Sequence, residues 1–186
     1  MKAAPIYLDH AATTPLDPRV LEAMHPVLTA DFGNASSVHR LGRKARYIVE
    51  DARERIADLL GADPSELIFT SGGTEANNSA VRGTGASGIV STAAEHESVL
   101  RAVEKRCASG VQGIVVRPSP NGTIGIGSVV ESLDRLAPGA LVSVMLVNNE
   151  TGAVNRIRTI ADAAHEAGAV VHSDAVQAAG YYRLDV

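Results

Sequence analysis

The 186-residue chain has a single cysteine, Cys107, which rules out an internal disulfide framework and fits a reducing compartment. It also lacks a long apolar run. The longest, from Ala140 to Val147, is interrupted by Ser143 and falls far below the ~20 residues that span a bilayer. The start, Met1-Lys2-Ala3-Ala4-Pro5, has no apolar core segment and so does not read as a signal peptide. A cytoplasmic location with no membrane partner is therefore expected. Basic blocks are missing too: 17 Lys and Arg against 21 Asp and Glu leave a net charge of −4, which disfavours a nucleic-acid partner. No internal repeat, low-complexity tract or interdomain linker interrupts the chain. What is left, 45% hydrophobic and 20% charged residues, is a globular composition, long enough for one domain with a core and too short for two large ones.

Residues 1–16 read as an arm, because Tyr7-Leu8-Asp9-His10-Ala11-Ala12-Thr13-Thr14-Pro15 is rich in small and hydroxylated residues and follows neither helical nor strand periodicity. Asp17 then caps a helix with Pro18 at its first position and Val20, Leu21, Met24, Val27 and Leu28 at apolar positions. Phe32-Gly33-Asn34-Ala35-Ser36-Ser37 is a turn-forming cluster. It either connects two helices or, with His39 and Arg43, offers donors to a carboxylate or phosphate. An amphipathic helix is expected from about Ser37 to Leu60, ended by Gly61.

From residue 66 the pattern becomes strand, loop, helix, repeated. Strands are expected at 66–70, 89–92, 114–116, 141–147 and from Ala169, with helices near 74–82, 98–108, 129–136 and 160–167. Another strand is expected to begin within Tyr181–Val186. Such alternation implies right-handed crossovers and an α/β fold, a three-layer α/β/α arrangement with a mainly parallel sheet. Ligands of such sheets collect at the carboxyl ends of the strands, where the polar clusters of this chain fall.

Those clusters carry the candidate chemistry. Ala169-Val170-Val171-His172-Ser173 reads as a buried strand that delivers Asp174 to its carboxyl end, with Gln177 three residues on. A carboxylate and an amide so placed suit a cofactor with a protonated ring nitrogen beside a phenolic oxygen, such as pyridoxal 5′-phosphate (PLP). Taken alone, Asp174 reads equally well as a helix cap. Ser71-Gly72-Gly73-Thr74-Glu75 lies between a strand and a helix start, where glycines admit an anion to backbone donors. The same segment also reads as a plain glycine turn capped by Thr74. No lysine follows these glycines, so it is not a Walker loop. His96 follows the second strand and is either a loop residue or a ring able to stack and to handle protons. Asn149 is a turn residue or a donor to a phenolate or carboxylate.

These motifs, in this order, resemble the cysteine desulfurase family of PLP enzymes, of fold type I and the class V aminotransferase group. The resemblance rests on residues 7–15, on Phe32-Gly33-Asn34-Ala35-Ser36-Ser37 with His39 and Gly42, and on Thr70-Ser71-Gly72-Gly73-Thr74-Glu75-Ala76-Asn77-Asn78. It continues through Glu95-His96, Asn148-Asn149-Glu150-Thr151-Gly152 and His172-Ser173-Asp174-Ala175-Val176-Gln177. It implies that 17–186 are the N-terminal part of a PLP-binding large domain. Gly73 and Thr74 then resemble the phosphate binders, His96 the residue that stacks on the pyridine and assists proton transfer, and Asp174 the partner of the ring nitrogen. Asn149 and Gln177 resemble groups around the phenolic oxygen, and Asn34 and Asn149 the substrate-binding asparagines. No metal is implied.

The resemblance covers the N-terminal half of the family pattern only. Twelve residues follow Asp174, and the family's Ser-x-His-Lys turn with the Schiff-base lysine, its loop with the sulfur-accepting cysteine and its carboxylate-gripping arginine have no counterpart here. Cys107 falls on an expected helix and reads as a small buried apolar residue rather than a nucleophile. Three readings stay open: one chain of a split enzyme, a piece of a longer protein, or a non-catalytic module that binds a partner. The implied activity is conversion of L-cysteine to L-alanine with sulfur passed as a persulfide to an acceptor protein. A homodimer of the assembled unit is expected, and the related alternatives are a selenocysteine lyase or a C–S lyase. The PLP assignment requires Asp174 and the glycine turn to lie at the same end of the sheet.

Overall fold

The computed structural model describes residues 5–186, so the first four residues of the expected arm lie outside the described residues. The backbone divides into two compact units, one reaching to Ile68 and including Arg183–Val186, the other Phe69–Tyr182.

In the first unit, residues 5–17 form no helix or strand. The amides of Ala12 and Thr13 fold back on the Asp9 carbonyl, and the Tyr7 ring meets His10 edge-on at 5.0 Å. Helix α1 (Pro18–Thr29) starts where Asp17 accepts a hydrogen bond from the Arg19 amide and Pro18 needs no donor partner. Helix α2 (Arg40–Leu60) begins three residues later than the sequence suggests, because His39 rather than Ser37 supplies the cap: its Nδ1 accepts from the Gly42 amide. Gly61, left-handed at φ 69°, ends it. Most of the apolar stripe of this unit faces outward. No residue of α1 is buried, and in α2 only Gly42 and Ala57 are.

The expected strand at 66–70 does not form. Asp63 and Glu66 close a capping box around a single 3-10 turn at Pro64–Glu66, and the backbone beyond it finds no strand partner among the described residues. The apolar residues Leu67, Ile68 and Phe69 suit a strand in type, but a strand is a pairing and not a composition.

The second unit is the α/β layer structure. Helix α3 (Gly73–Gly83) precedes strand β1 (Gly88–Thr92), followed by α4 (Glu97–Ala108), β2 (Gln112–Val116), α5 (Ile126–Leu133), β3 (Leu141–Ser143), α6 (Ile157–Glu166) and β4 (Val170–His172). The four strands pair in parallel in the order β2-β1-β3-β4. Alternate residues of the central strands enter two cores. Ile89 and Leu141 pack with Val81, Val99, Ala102 and Val103 of α3 and α4, whereas Val90, Val142 and Val144 pack with Val129, Leu133, Ile160 and Ala164 of α5 and α6. Burial on both faces suits the apolar Ile89-Val90 and Leu141-Val142 pairs of β1 and β3, and it also encloses the small polar Ser91, Thr92 and Ser143. The strand β3 ends at Ser143 rather than at Val147, but the Val144 and Leu146 amides continue the parallel hydrogen bonding, donating to the His172 and Asp174 carbonyls at 3.1 and 2.9 Å. Beyond Ser143, the Met145 amide turns to the Glu95 side chain and the Asn155 amide takes up the Leu146 carbonyl. No strand forms over 181–186; Tyr182 makes one isolated bridge to Ala179. Cys107, expected to be buried, lies on α4 but is exposed.

Candidate active site

The crossover from β1 leads to β2, and that from β3 leads the other way, to β4, so the carboxyl ends of these adjacent central strands form the topological switch point. Among the described residues, a cleft of about 640 Å³ opens there. It is lined by Ala93 to Glu97 after β1 and by Asn148 to Thr151 after β3. His96 and half-buried Asn149 both face it.

Asn148 shapes one wall. Its Oδ1 accepts from the amides of Glu150 and Thr151 and from the Thr151 hydroxyl, which closes the turn, and its Nδ2 donates to the Ala94 carbonyl on the opposite wall at 2.9 Å. Asn155 does the same below. Its Nδ2 donates to the Met145 carbonyl and its Oδ1 accepts the Ile124 amide, both at 2.8 Å.

Asp174 follows β4 and is buried. Its Oδ1 accepts the Val176 amide at 3.0 Å, and its Oδ2 accepts from Nδ2 of Asn77 on α3 at 2.8 Å. The same Asn77 nitrogen donates to Ser98 Oγ at 2.9 Å, and Ser98 Oγ lies 2.7 Å from His96 Nδ1. A continuous line of hydrogen bonds therefore joins Asp174 to His96 through two elements. His96 also caps α4, its Nδ1 accepting the Ser98 amide.

The glycine turn lies against the Asp174 loop. A Cβ placed on Gly73 would stand 3.1 Å from Val176 Cγ2, a tighter approach than side chains normally make. Gly72 caps α3 without a side-chain bond to the helix, and nothing lies within 4 Å of where its Cβ would be. Thr74 is exposed at the first turn. Ser71 is already engaged: its amide and hydroxyl both donate to Glu75, at 2.8 and 2.6 Å, which holds the Glu75 carboxyl below its ordinary range. Gln177 sits half-buried in the turn after Asp174.

Two further titratable groups stand close to this row. Glu95 is 6% exposed; its Oε1 accepts from the Thr92 hydroxyl and the Met145 amide, tying the end of β1 to the segment after β3, while its Oε2 is buried with no partner among the described residues. Burial pushes this carboxyl up to about 7, against the two hydrogen bonds that favour its ionised form, with a further push from the Asp174 charge. Burial likewise lowers His172, opposed by Asp174, and its Nδ1 lies 2.9 Å from Ser143 Oγ.

Residues 6–186 match the family described as aminotransferase class-V. The chain belongs to this family. It is 42% identical over 190 residues to "Cysteine desulfurase IscS" of Methylobacillus flagellatus, covering 98% of this chain and 46% of the relative. With "Putative cysteine desulfurase IscS 1" of Bacillus subtilis the identity is 44%, covering 97% and 49%. Among solved structures, "SspA in complex with cysteine" superposes with a TM-score of 0.90 at 35% identity, over 97% of this chain and 53% of the other. DndA from Streptomyces lividans gives 0.77 at 41%, over 93% and 50%. The chain spans about half the length of the curated relatives it matches.

Within this class-V chain, Gly73, Thr74, His96, Asn149, Asp174 and Gln177 all fall in the second unit, at helix starts or strand ends. Asn34 belongs to the first unit, where its Oδ1 accepts the Ser36 amide; His39 and Arg43 are likewise engaged locally, at the α2 cap and on the Val38 carbonyl. Sequence reasoning missed Asn77, Ser98 and Asn148 as contributors. Asn77 sits on a helix like any polar surface residue, and only its burial marks it out. Ser98 had a signal in its position two residues into a helix that His96 caps. Among the described residues, no metal-holding cluster forms and no helix is long and apolar enough to cross a membrane.

Proposed function

We propose that this chain supplies about half the active site of a PLP-dependent cysteine desulfurase, which converts L-cysteine to L-alanine and passes the sulfur on as a persulfide. The observation that carries the reading is the proximity of the buried Asp174 loop to the glycine turn, through Gly73 against Val176 and Asn77 on Asp174. An anionic phosphate at a helix start and a cationic ring nitrogen beside a carboxylate need such a spacing of opposite charges in one site.

The residues present fit the cofactor. The first amides of α3, with no side-chain cap on them, and the Thr74 hydroxyl are donors for a phosphate at Gly73 and Thr74. Ser71 is committed to Glu75, so it is not counted among them. Asp174 has a second lone pair on each oxygen for a ring N–H, and it is buried enough for that charge contact to matter. Asn149 and Gln177 offer amides to a phenolic oxygen, and Asn149 to the substrate carboxylate. When bound, PLP supplies an electron sink for charge developing at the substrate α-carbon. This chain's part is to hold that group protonated through Asp174, to present the His96 ring for stacking and proton handling, and to bind the substrate.

The lysine that would anchor the cofactor and the cysteine that would accept sulfur belong to a further segment or a second polypeptide. In the assembled enzyme the substrate C–S bond breaks, an S–S bond forms on the accepting thiol, and a proton completes the methyl group of alanine. The assembled unit would act as a homodimer in the cytoplasm and deliver sulfur to an acceptor protein. The relatives named cysteine desulfurase and the neighbour solved with cysteine support this substrate over others. The test supplies the lysine- and cysteine-bearing segment, PLP, L-cysteine and a thiol acceptor. One alanine released per persulfide formed is expected; no cysteine-dependent alanine contradicts the reading. Turnover of selenocysteine alone would point to the lyase.

A further inference from the structure

We propose that Asn77 and Ser98 are positioning residues: a chain of hydrogen bonds anchored on Asp174, in which Asn77 donates to both Asp174 and Ser98 and Ser98 donates to His96, fixes the orientation and tautomer of His96, with the ring proton on Nε2. The direction follows from what each group can donate. The Asp174 carboxylate only accepts, so Asn77 must turn its NH2 toward it, at 2.8 Å. The second proton of the same NH2 goes to Ser98 Oγ at 2.9 Å. Ser98 Oγ is thereby an acceptor on that side, and its own single proton leaves on the other, where His96 Nδ1 stands 2.7 Å away. The Ser98 amide donates to the same nitrogen at 3.2 Å. Two donors thus converge on Nδ1. A ring nitrogen that accepts twice holds a lone pair, and the proton of the neutral imidazole resides on Nε2.

Asn77, Ser98 and Asp174 are 4, 8 and 8% exposed, so water does not substitute for the two links that Asn77 makes, while the His96 ring at the end of the chain is exposed. The links come from α3, from α4 and from the turn after β4, so the packing of three elements is needed to set one proton. The consequence rests on the desulfurase reading. His96 offers a donor from Nε2 rather than a bare base, and it takes up a proton only at Nδ1, at the expense of the hydrogen bonds from Ser98.

The experiment measures the tautomer itself. The protein completed by its lysine-bearing segment and loaded with PLP is labelled with 15N-histidine, and long-range proton–nitrogen correlations are recorded at about pH 8, where a free imidazole is neutral. The His96 signals are identified by their loss in His96→Gln. The native protein is expected to show Nδ1 bare and Nε2 protonated. Asn77→Asp has nearly the same shape but accepts where Asn77 donated, so it draws the Ser98 proton away from the ring. Ser98→Ala removes that proton outright. Each variant is expected to raise the Nδ1–H form about fivefold to tenfold, the loss of one hydrogen bond expressed as a ratio. An Nδ1–H ring or an imidazolium in the native protein overturns the proposal, as does an unchanged ratio in either variant when circular dichroism shows it folded. The readout does not involve cysteine turnover, so failure of the alanine assay and failure of the tautomer assignment are separate results.

Discussion

The two units of the chain treat their apolar residues in opposite ways. In Phe69–Tyr182, Ile89, Val90, Leu141 and Val142 are at most 1% exposed, and both faces of the sheet are covered. In the first unit the helices are as amphipathic in pattern, yet Val20, Leu21, Met24, Val27 and Leu28 of α1 all remain exposed. Periodicity states which side of a helix is apolar; it does not state that anything covers it. The buried polar network has the same distribution. Asp174, Asn77, Ser98 and Glu95 lie in the unit with a closed core, where desolvation gives each hydrogen bond its force.

Mutation sharpens the contrast. Ile89→Ala, in the centre of the sheet, is expected to cost about 2–5 kcal/mol by denaturant titration, the range for truncating a fully buried aliphatic side chain. Similar costs for Ile89→Ala and Leu28→Ala would remove the distinction between the units.

The next largest effect comes from Glu95. Its carboxyl is raised in the folded state from 4.5 to about 7, so between those values the native protein holds more protons than the unfolded chain. Stability accordingly falls as pH rises through this window, by about 3 kcal/mol, and levels off above it. Glu95→Gln is expected to flatten that slope, read from denaturation midpoints across the window; a slope unchanged by the substitution contradicts the burial account.

His172 acts in the other direction. Burial lowers its folded value, so on acidification below about 6.5 the unfolded chain takes up the proton first and stability falls as pH falls. His172→Gln should reduce the acid-side loss, and by less than Glu95→Gln changes the other limb, because the Asp174 charge opposes the effect of burial. The smallest effect belongs to Leu28→Ala on the exposed stripe of α1, expected within about 0.5 kcal/mol.

Local chemistry made much of this structure legible in the sequence. Asp17 with Pro18 announced α1, Gly61 the end of α2, and the apolar runs after Gly88 and Gly139 the buried strands. Strand-end logic places His96, Asn149 and Asp174 at one edge of the sheet, since a parallel sheet gathers such residues there. What could not be read depends on partners. The 66–70 segment has strand-forming residues but no neighbouring strand among the described residues, and its start is taken by the Asp63–Glu66 capping box. His39 as a cap is hidden because histidine is not among the side chains that commonly cap a helix start. Asn77 was invisible as a site residue because its role is to bridge Ser98 and Asp174, 21 and 97 residues away along the chain.

The central claim is that Asp174 faces a pyridine nitrogen whose phosphate lies at Gly73. The direct measurement is the 15N resonance of ring-labelled PLP bound to the protein completed by its lysine-bearing segment. The account requires a protonated ring nitrogen in the native protein and its deprotonation in Asp174→Ala with the cofactor still bound. A nitrogen that is unprotonated in the native protein, or equally protonated without Asp174, contradicts it.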